Sequence, residues 1–119
     1  MAIERSNILV VEDAYLVGMQ LKQDLESLGY TVAGPASSVS DACDLIDRQR
    51  VHLAVLDVNL GHENSIPVAE RLLKEGVPFL FITGYATAEA DTDIFDKQVL
   101  LRKPVLLDQL QEALHELAK

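Results

Sequence analysis

A single cysteine, Cys43, excludes any internal disulfide in this chain of 119 residues. That scarcity fits a reducing compartment, and the expectation is a cytoplasmic protein. No apolar run approaches the roughly 20 residues that a membrane-spanning helix requires, so no membrane segment is expected. The first residues, MAIERSNILVVEDA, lack the basic stretch, long apolar core and cleavage site of a secretory signal. Basic residues are also in short supply: 10 Lys and Arg stand against 19 Asp and Glu, a net charge of −9. A nucleic-acid surface needs clustered Lys and Arg, so this domain is not expected to contact nucleic acid. Repeats, low-complexity tracts and linker-like stretches are missing too, and the length suits one domain over 1–119. What is there is ordinary globular material, 49% hydrophobic and 24% charged, enough for a core without a disulfide or metal staple.

Short, continuously apolar runs alternate with helical patterns. NILVV (7–11), YTVAG (30–34), LAVLD (53–57), PFLFIT (78–83) and QVLLR (98–102) read as strands. Between them, Val17, Leu21, Leu25 and Leu28 recur three or four residues apart, giving a helix from Tyr15 that Gly29 ends. Ser38, with Asp41 three residues on, opens a second helix to about Arg50, with Val39, Ala42, Cys43 and Ile46 inward. Pro67 fits the first turn of a third helix, which ends at Gly76. The segment 86–96 has a thin apolar pattern and many Thr and Asp, which predicts a short or irregular helix. The last helix spans about 106–118, with Leu107, Leu110, Leu114 and Leu117 on one face. Apolar strands alternating with helices predict a parallel sheet covered on both faces, an α/β doubly wound fold.

In such a fold, ligands bind beyond the carboxyl ends of the strands. Those ends carry Glu12-Asp13, Asp57, Thr83 and Lys103-Pro104. Three carboxylates together repel one another, and a hard divalent cation such as Mg²⁺ relieves that repulsion through oxygen ligands. Lys103 offers a point charge to a phosphoryl oxygen, and Thr83 a hydroxyl. A carboxylate can itself accept a phosphoryl group, a transfer that needs mainly positioning and charge neutralisation. Asp57 at the end of a greasy strand is therefore a carboxylate aimed by a rigid sheet.

Taken in order along the whole chain, these residues resemble a response-regulator receiver domain of two-component signalling. The resemblance implies a five-stranded parallel sheet in the order 2-1-3-4-5, flavodoxin-like. It implies that Asp57 takes a phosphoryl group from the phosphohistidine of a histidine kinase or phosphotransfer protein. Asp13, Asp57 and the backbone carbonyl of Asn59 would bind Mg²⁺, and Glu12 would act through a metal-bound water. Thr83 and Lys103 would bind the phosphoryl oxygens, and the Lys103-Pro104 bond would be cis. The domain would act as a switch, not an enzyme, beyond self-phosphorylation and autodephosphorylation, and its partners would include an output protein or a second copy. One departure concerns the switch. The aromatic residue usual three positions before the lysine is Leu100 here, whereas FITGY (81–85) places Tyr85 two residues after Thr83. That pattern resembles a receiver subset with a Phe-x-Thr-Gly-Tyr signature, and it points to Tyr85 and 84–97 as carriers of the conformational response.

Each residue also has a blander reading. Glu12-Asp13 is a helix-start signal, Asp57 a strand-end turn residue, Thr83 an ordinary strand residue and Pro104 a helix-start proline. Tyr85 equally suits a packed aromatic, and Cys43 a small core residue. His52, His62 and His115 lack metal-ligand spacing. Leu106 and the outer edge of the last helix could add to a partner surface. Among functions, an aspartyl-nucleophile phosphatase would want a second acid where Asn59 stands. A pseudo-receiver binding module would not need the full chemical set, and a phosphate sink would use it without an output.

Overall fold

β1 (Asn7–Val11) is four-fifths buried because both of its faces are covered, as its unbroken apolar sequence requires. The computed structural model describes residues 6–84 and 99–118. The remaining elements are α1 (Tyr15–Ser27), β2 (Thr31–Ala36), α2 (Val39–Arg48), β3 (Leu53–Asp57), α3 (Ile66–Glu75), β4 (Phe79–Thr83), β5 (Val99–Arg102) and α4 (Leu107–Ala118). The strands form one five-stranded sheet in the order β2-β1-β3-β4-β5. Every pairing is parallel. The order and the fold class expected from the sequence are both observed.

Alternation along each strand divides the core in two. Leu9, Val11, Ala54, Leu56, Phe79 and Phe81 face one side with Ala42, Val68 and Leu72. Ile8, Val10, Val55, Leu80 and Ile82 face the other with Leu21, Leu25, Leu110 and Leu114. β3 and β4 are buried at every position, so the sheet centre is fixed by packing on both sides.

Several local expectations need correction. β2 does not stop at Gly34; it continues through a cis Gly34-Pro35 bond to Ala36. An extra residue on β2 between the Leu9↔Ala33 and Val11↔Ala36 pairs absorbs the proline, which has no N–H for the ladder. Val17 is 37% exposed, because Gly18 takes the inward position on α1. A Cβ on Gly18 would lie 3.0 Å from Pro35 Cβ, so glycine lets the helix approach β2 this closely without displacing the proline. Leu107 is exposed as well, in the first turn of α4, where no described element covers it. β5 is largely exposed rather than buried, as befits the edge of the sheet. Cys43 is half-buried and lies outside both core clusters. α2 ends at Arg48, two residues early, although its expected cap is present: Ser38 Oγ accepts from Asp41 N at 3.1 Å. Segment 86–96 lies outside the described residues.

Gly34 carries the clearest local prediction. Its φ is +102°, and a Cβ there would meet Ala36 N at 2.7 Å and Val10 O at 2.9 Å, both backbone atoms. Gly34→Ala therefore adds a left-handed penalty to an unrelieved clash, about 2–5 kcal/mol in all. Gly76 also has positive φ, but nothing lies within 4 Å of its would-be Cβ. Gly76→Ala costs only the backbone term, about 1–2 kcal/mol. Urea titrations of both variants check this; equal losses would show that the Gly34 clash relaxes freely.

Candidate functional site

Three buried strands end at one edge, and each end delivers a polar side chain. Glu12 follows β1 and is 2% exposed; Asp57 ends β3 at 4% and Thr83 ends β4 at 5%. Asp13, one residue past Glu12, is exposed. Carboxylate oxygens of Glu12, Asp13 and Asp57 all lie within 4.8 Å of one another. They share an open cleft of about 450 Å³ with Ala14, Asn59, Gly61, Gly84 and Lys103.

The cation comes from beyond β5. Lys103 N donates to Thr83 O at 2.8 Å, which ties the strand ends together, and the Lys103-Pro104 bond is cis as expected. Lys103 Nζ then meets Glu12 Oε1 at 2.8 Å and Asp57 Oδ2 at 3.1 Å. Burial works to lower the ammonium's pKa, but its hydrogen bonds to Glu12 and Asp57 outweigh that and raise it. The Glu12 carboxyl is also pushed up, first by burial and then by Asp57 beside it, against the opposing pull of Lys103.

The loop after β3 shapes the rest of the cleft. Asn59 and Asn64 form an isolated antiparallel bridge, bracketed by Ser65 N donating to Val58 O at 3.1 Å and Leu60 N donating to Glu63 O at 2.8 Å. The loop is thus a small hairpin. In this bridge type the paired residues do not bond to each other. Asn59 N instead donates to Asp57 Oδ1 at 3.3 Å, and Gly61 N donates to Asn59 Oδ1 at 2.9 Å. A Cβ on Gly61, whose φ is +86°, would come within 3.3 Å of Asp13 Oδ2. Gly61 and Ala14, whose N donates to Glu12 Oε2 at 3.1 Å, were not singled out in the sequence. Gly61 opens the polar stretch GHENS (61–65), and its positive φ beside Asp13 is what marks it.

Of the other sequence candidates, Leu100 on β5 pairs with Phe81 of β4 and is 40% exposed, away from the carboxylates' cleft. Tyr85 lies outside the described residues. His52, His62 and His115 enter no metal-ligating group among the described residues. His52 Nδ1 instead accepts from Asn7 N at 3.0 Å, at the opposite edge of the sheet.

The acidic donor set fits a hard divalent cation. Its carboxylate oxygens lie within 4.8 Å of one another, the all-oxygen chemistry such a cation takes. Without a cation, Glu12 sets a pH dependence. A carboxyl whose folded pKa is raised keeps a proton that the unfolded chain has released above its ordinary 4.5. Folding stability attributable to Glu12 is therefore intact at low pH and lost as pH rises above 4.5 through the raised value. Lys103 has the same sign, but its loss begins only above 10.5. We expect the stability difference, wild type minus Glu12→Gln, to fall as pH rises from 4.5 towards neutrality in metal-free protein. A difference that stays flat in urea unfolding across that range would contradict it.

A doubly wound sheet with a carboxylate cluster and a lysine at its carboxyl edge defines the receiver class. The chain belongs to the response regulator receiver domain family, whose model matches residues 8–115. Among solved structures it is similar to SdrG from Sphingomonas melonis Fr1, at 36% identity and TM-score 0.83, covering 98% of each chain. It is also similar to the BeF3-activated conformation of SdrG from Pseudomonas melonis Fr1, at 37% identity and TM-score 0.80, covering 95% of this chain and 96% of that one. Among curated proteins, the transcriptional regulatory protein CrdR of Helicobacter pylori is 30% identical over 90% of this chain and 52% of its own length. The chain thus spans about half the length of that relative. No helix among the described residues is long and apolar enough to cross a membrane.

Proposed function

We propose that this chain is a phosphoacceptor switch. Asp57 takes a phosphoryl group from the phosphohistidine of a histidine kinase or phosphotransfer protein, and phosphorylation changes the chain's affinity for an output protein or a second copy of itself. In the transfer, an Asp57 carboxylate oxygen attacks phosphorus, the P–N bond breaks as the P–O bond forms, and the imidazole leaves to take up a proton. Asp13, Asp57 and the Asn59 carbonyl would hold Mg²⁺, with Glu12 reaching it through water. When bound, Mg²⁺ supplies positive charge that keeps the carboxylates ionised and offsets charge on the phosphoryl oxygens. Asn59 N holds Asp57 by one carboxylate oxygen, and Lys103 holds it by the other. As charge builds on the phosphoryl group, Lys103 follows it as a point charge and Thr83 donates its hydroxyl.

The observation that carries this reading is the double contact of Lys103 Nζ with Asp57 and Glu12, beside Asp13. A single ammonium placed on the nucleophile and on its acidic neighbour suits phosphoryl chemistry better than a solvated acidic surface. The BeF3-activated state of a 37% identical relative supports the same reading. In the Phe-x-Thr-Gly-Tyr subset, Tyr85 in place of an aromatic at Leu100 would carry the response. Beryllofluoride with Mg²⁺ is expected to shift the amides of Asp57, Thr83 and Lys103 in wild type and not in Asp57→Asn. A wild-type spectrum that ignores beryllofluoride sinks the proposal in favour of a pseudo-receiver. Sustained turnover of unrelated phosphoesters would replace it with a phosphatase.

A further inference from the structure

The β3–α3 hairpin that carries Asn59 and Gly61 to the cleft is itself held from outside. Glu63, on its return arm, sends Oε2 to the backbone N of Val39 at 3.0 Å, in the first turn of α2. Its own carbonyl meanwhile accepts from Leu60 N at 2.8 Å, closing the hairpin. One residue therefore joins the loop to a helix that is anchored independently. Ala42 of α2 is fully buried against the sheet, Ser38 caps the helix start, and Arg71 of α3 pairs with Asp47. The first N–H groups of a helix lack internal partners and sit at its positive end, so a carboxylate is the favoured acceptor there.

We propose that Glu63 is a positioning residue: it clamps the Asn59–Gly61 arm to α2 and so holds the Asn59 carbonyl at the cation-binding cleft, which rests on the receiver reading above. Glu63 touches neither the cation nor the phosphoryl group. It acts through the hairpin, and through Val39 it also ties the state of the cleft to the start of α2.

The test uses the whole chain with Mg²⁺ alone as the probe. Glu63→Ala is expected to bind Mg²⁺ about tenfold more weakly, the low end for losing a residue that orients a ligand. In metal-free protein, hydrogen exchange at the Leu60 and Ser65 amides is expected to speed up, while β3 amides keep their protection. Glu63→Gln keeps a carbonyl acceptor for Val39 N–H and is expected to restore both readouts most of the way. It removes the same charge as Glu63→Ala, so its rescue separates clamping from long-range electrostatics. The proposal fails if Glu63→Ala binds Mg²⁺ as tightly as wild type, or if Glu63→Gln is as impaired as Glu63→Ala. Should wild type take up no Mg²⁺ while Leu60 exchange still rises in Glu63→Ala, the receiver chemistry is overturned and the clamp stands.

Discussion

Asp57→Asn is expected to incorporate no phosphate from a small phosphodonor, while wild type is expected to gain one group per chain. The reason is chemical and not steric. The amide has the carboxylate's shape but no anionic oxygen to attack phosphorus. The fold should tolerate the change well, because Asp57 is one of the two causes that push the Glu12 carboxyl up. Removing its charge lets Glu12 ionise against Lys103 with less opposition, so metal-free Asp57→Asn should melt no lower than wild type. Intact-mass spectrometry with Mg²⁺ and a small phosphodonor, beside a thermal melt, reads both outcomes. Phosphate appearing on Asp57→Asn at wild-type stoichiometry would place the acceptor elsewhere.

Lys103→Met should pull apart two properties that a simple loss of the site would lower together. The ammonium lies between Glu12 and Asp57, at 2.8 Å and 3.1 Å, so it occupies the same negative field that a divalent cation would use. Methionine keeps most of the stem's packing and removes the charge. Mg²⁺ should therefore bind more tightly to the variant, because a competing positive charge has gone. Phosphoryl transfer should slow by about 10²–10³, the usual cost of removing one charge-stabilising donor. Isothermal titration with Mg²⁺ and a phosphorylation time course measure the pair of effects. Weaker Mg²⁺ binding would mean that Lys103 holds the carboxylates in place more than it competes for them.

Read along the chain, most of the site was legible because its signals are local. A continuously apolar run that stops at a carboxylate predicts a doubly covered strand and a charge at its end, and NILVV-Glu12 and LAVL-Asp57 both behave that way. Helix starts with a side-chain cap were legible too, as Ser38 shows. The misreadings came from contacts between distant segments. Spacing alone made Val17 as good an inward residue as any, until Pro35 crossed α1 and required Gly18 there. Proline usually ends a strand, yet one extra residue against β1 let β2 pass through Pro35. The edge position of β5 left exposed an apolar sequence that reads as buried.

By itself, then, the sequence determined the class of fold, the strand that ends in Asp57 and the identity of the charged groups, since these depend on periodicity and on residue chemistry a few positions apart. Only the tertiary structure decided that an ammonium 46 residues along the chain from Asp57 grips both it and Glu12. The same holds for Glu63 reaching back to α2 from the loop that lines the cleft. Those contacts depend on strand order, register and the approach of helices to the sheet, which are settled by packing the whole core at once and leave no local trace in the order of residues.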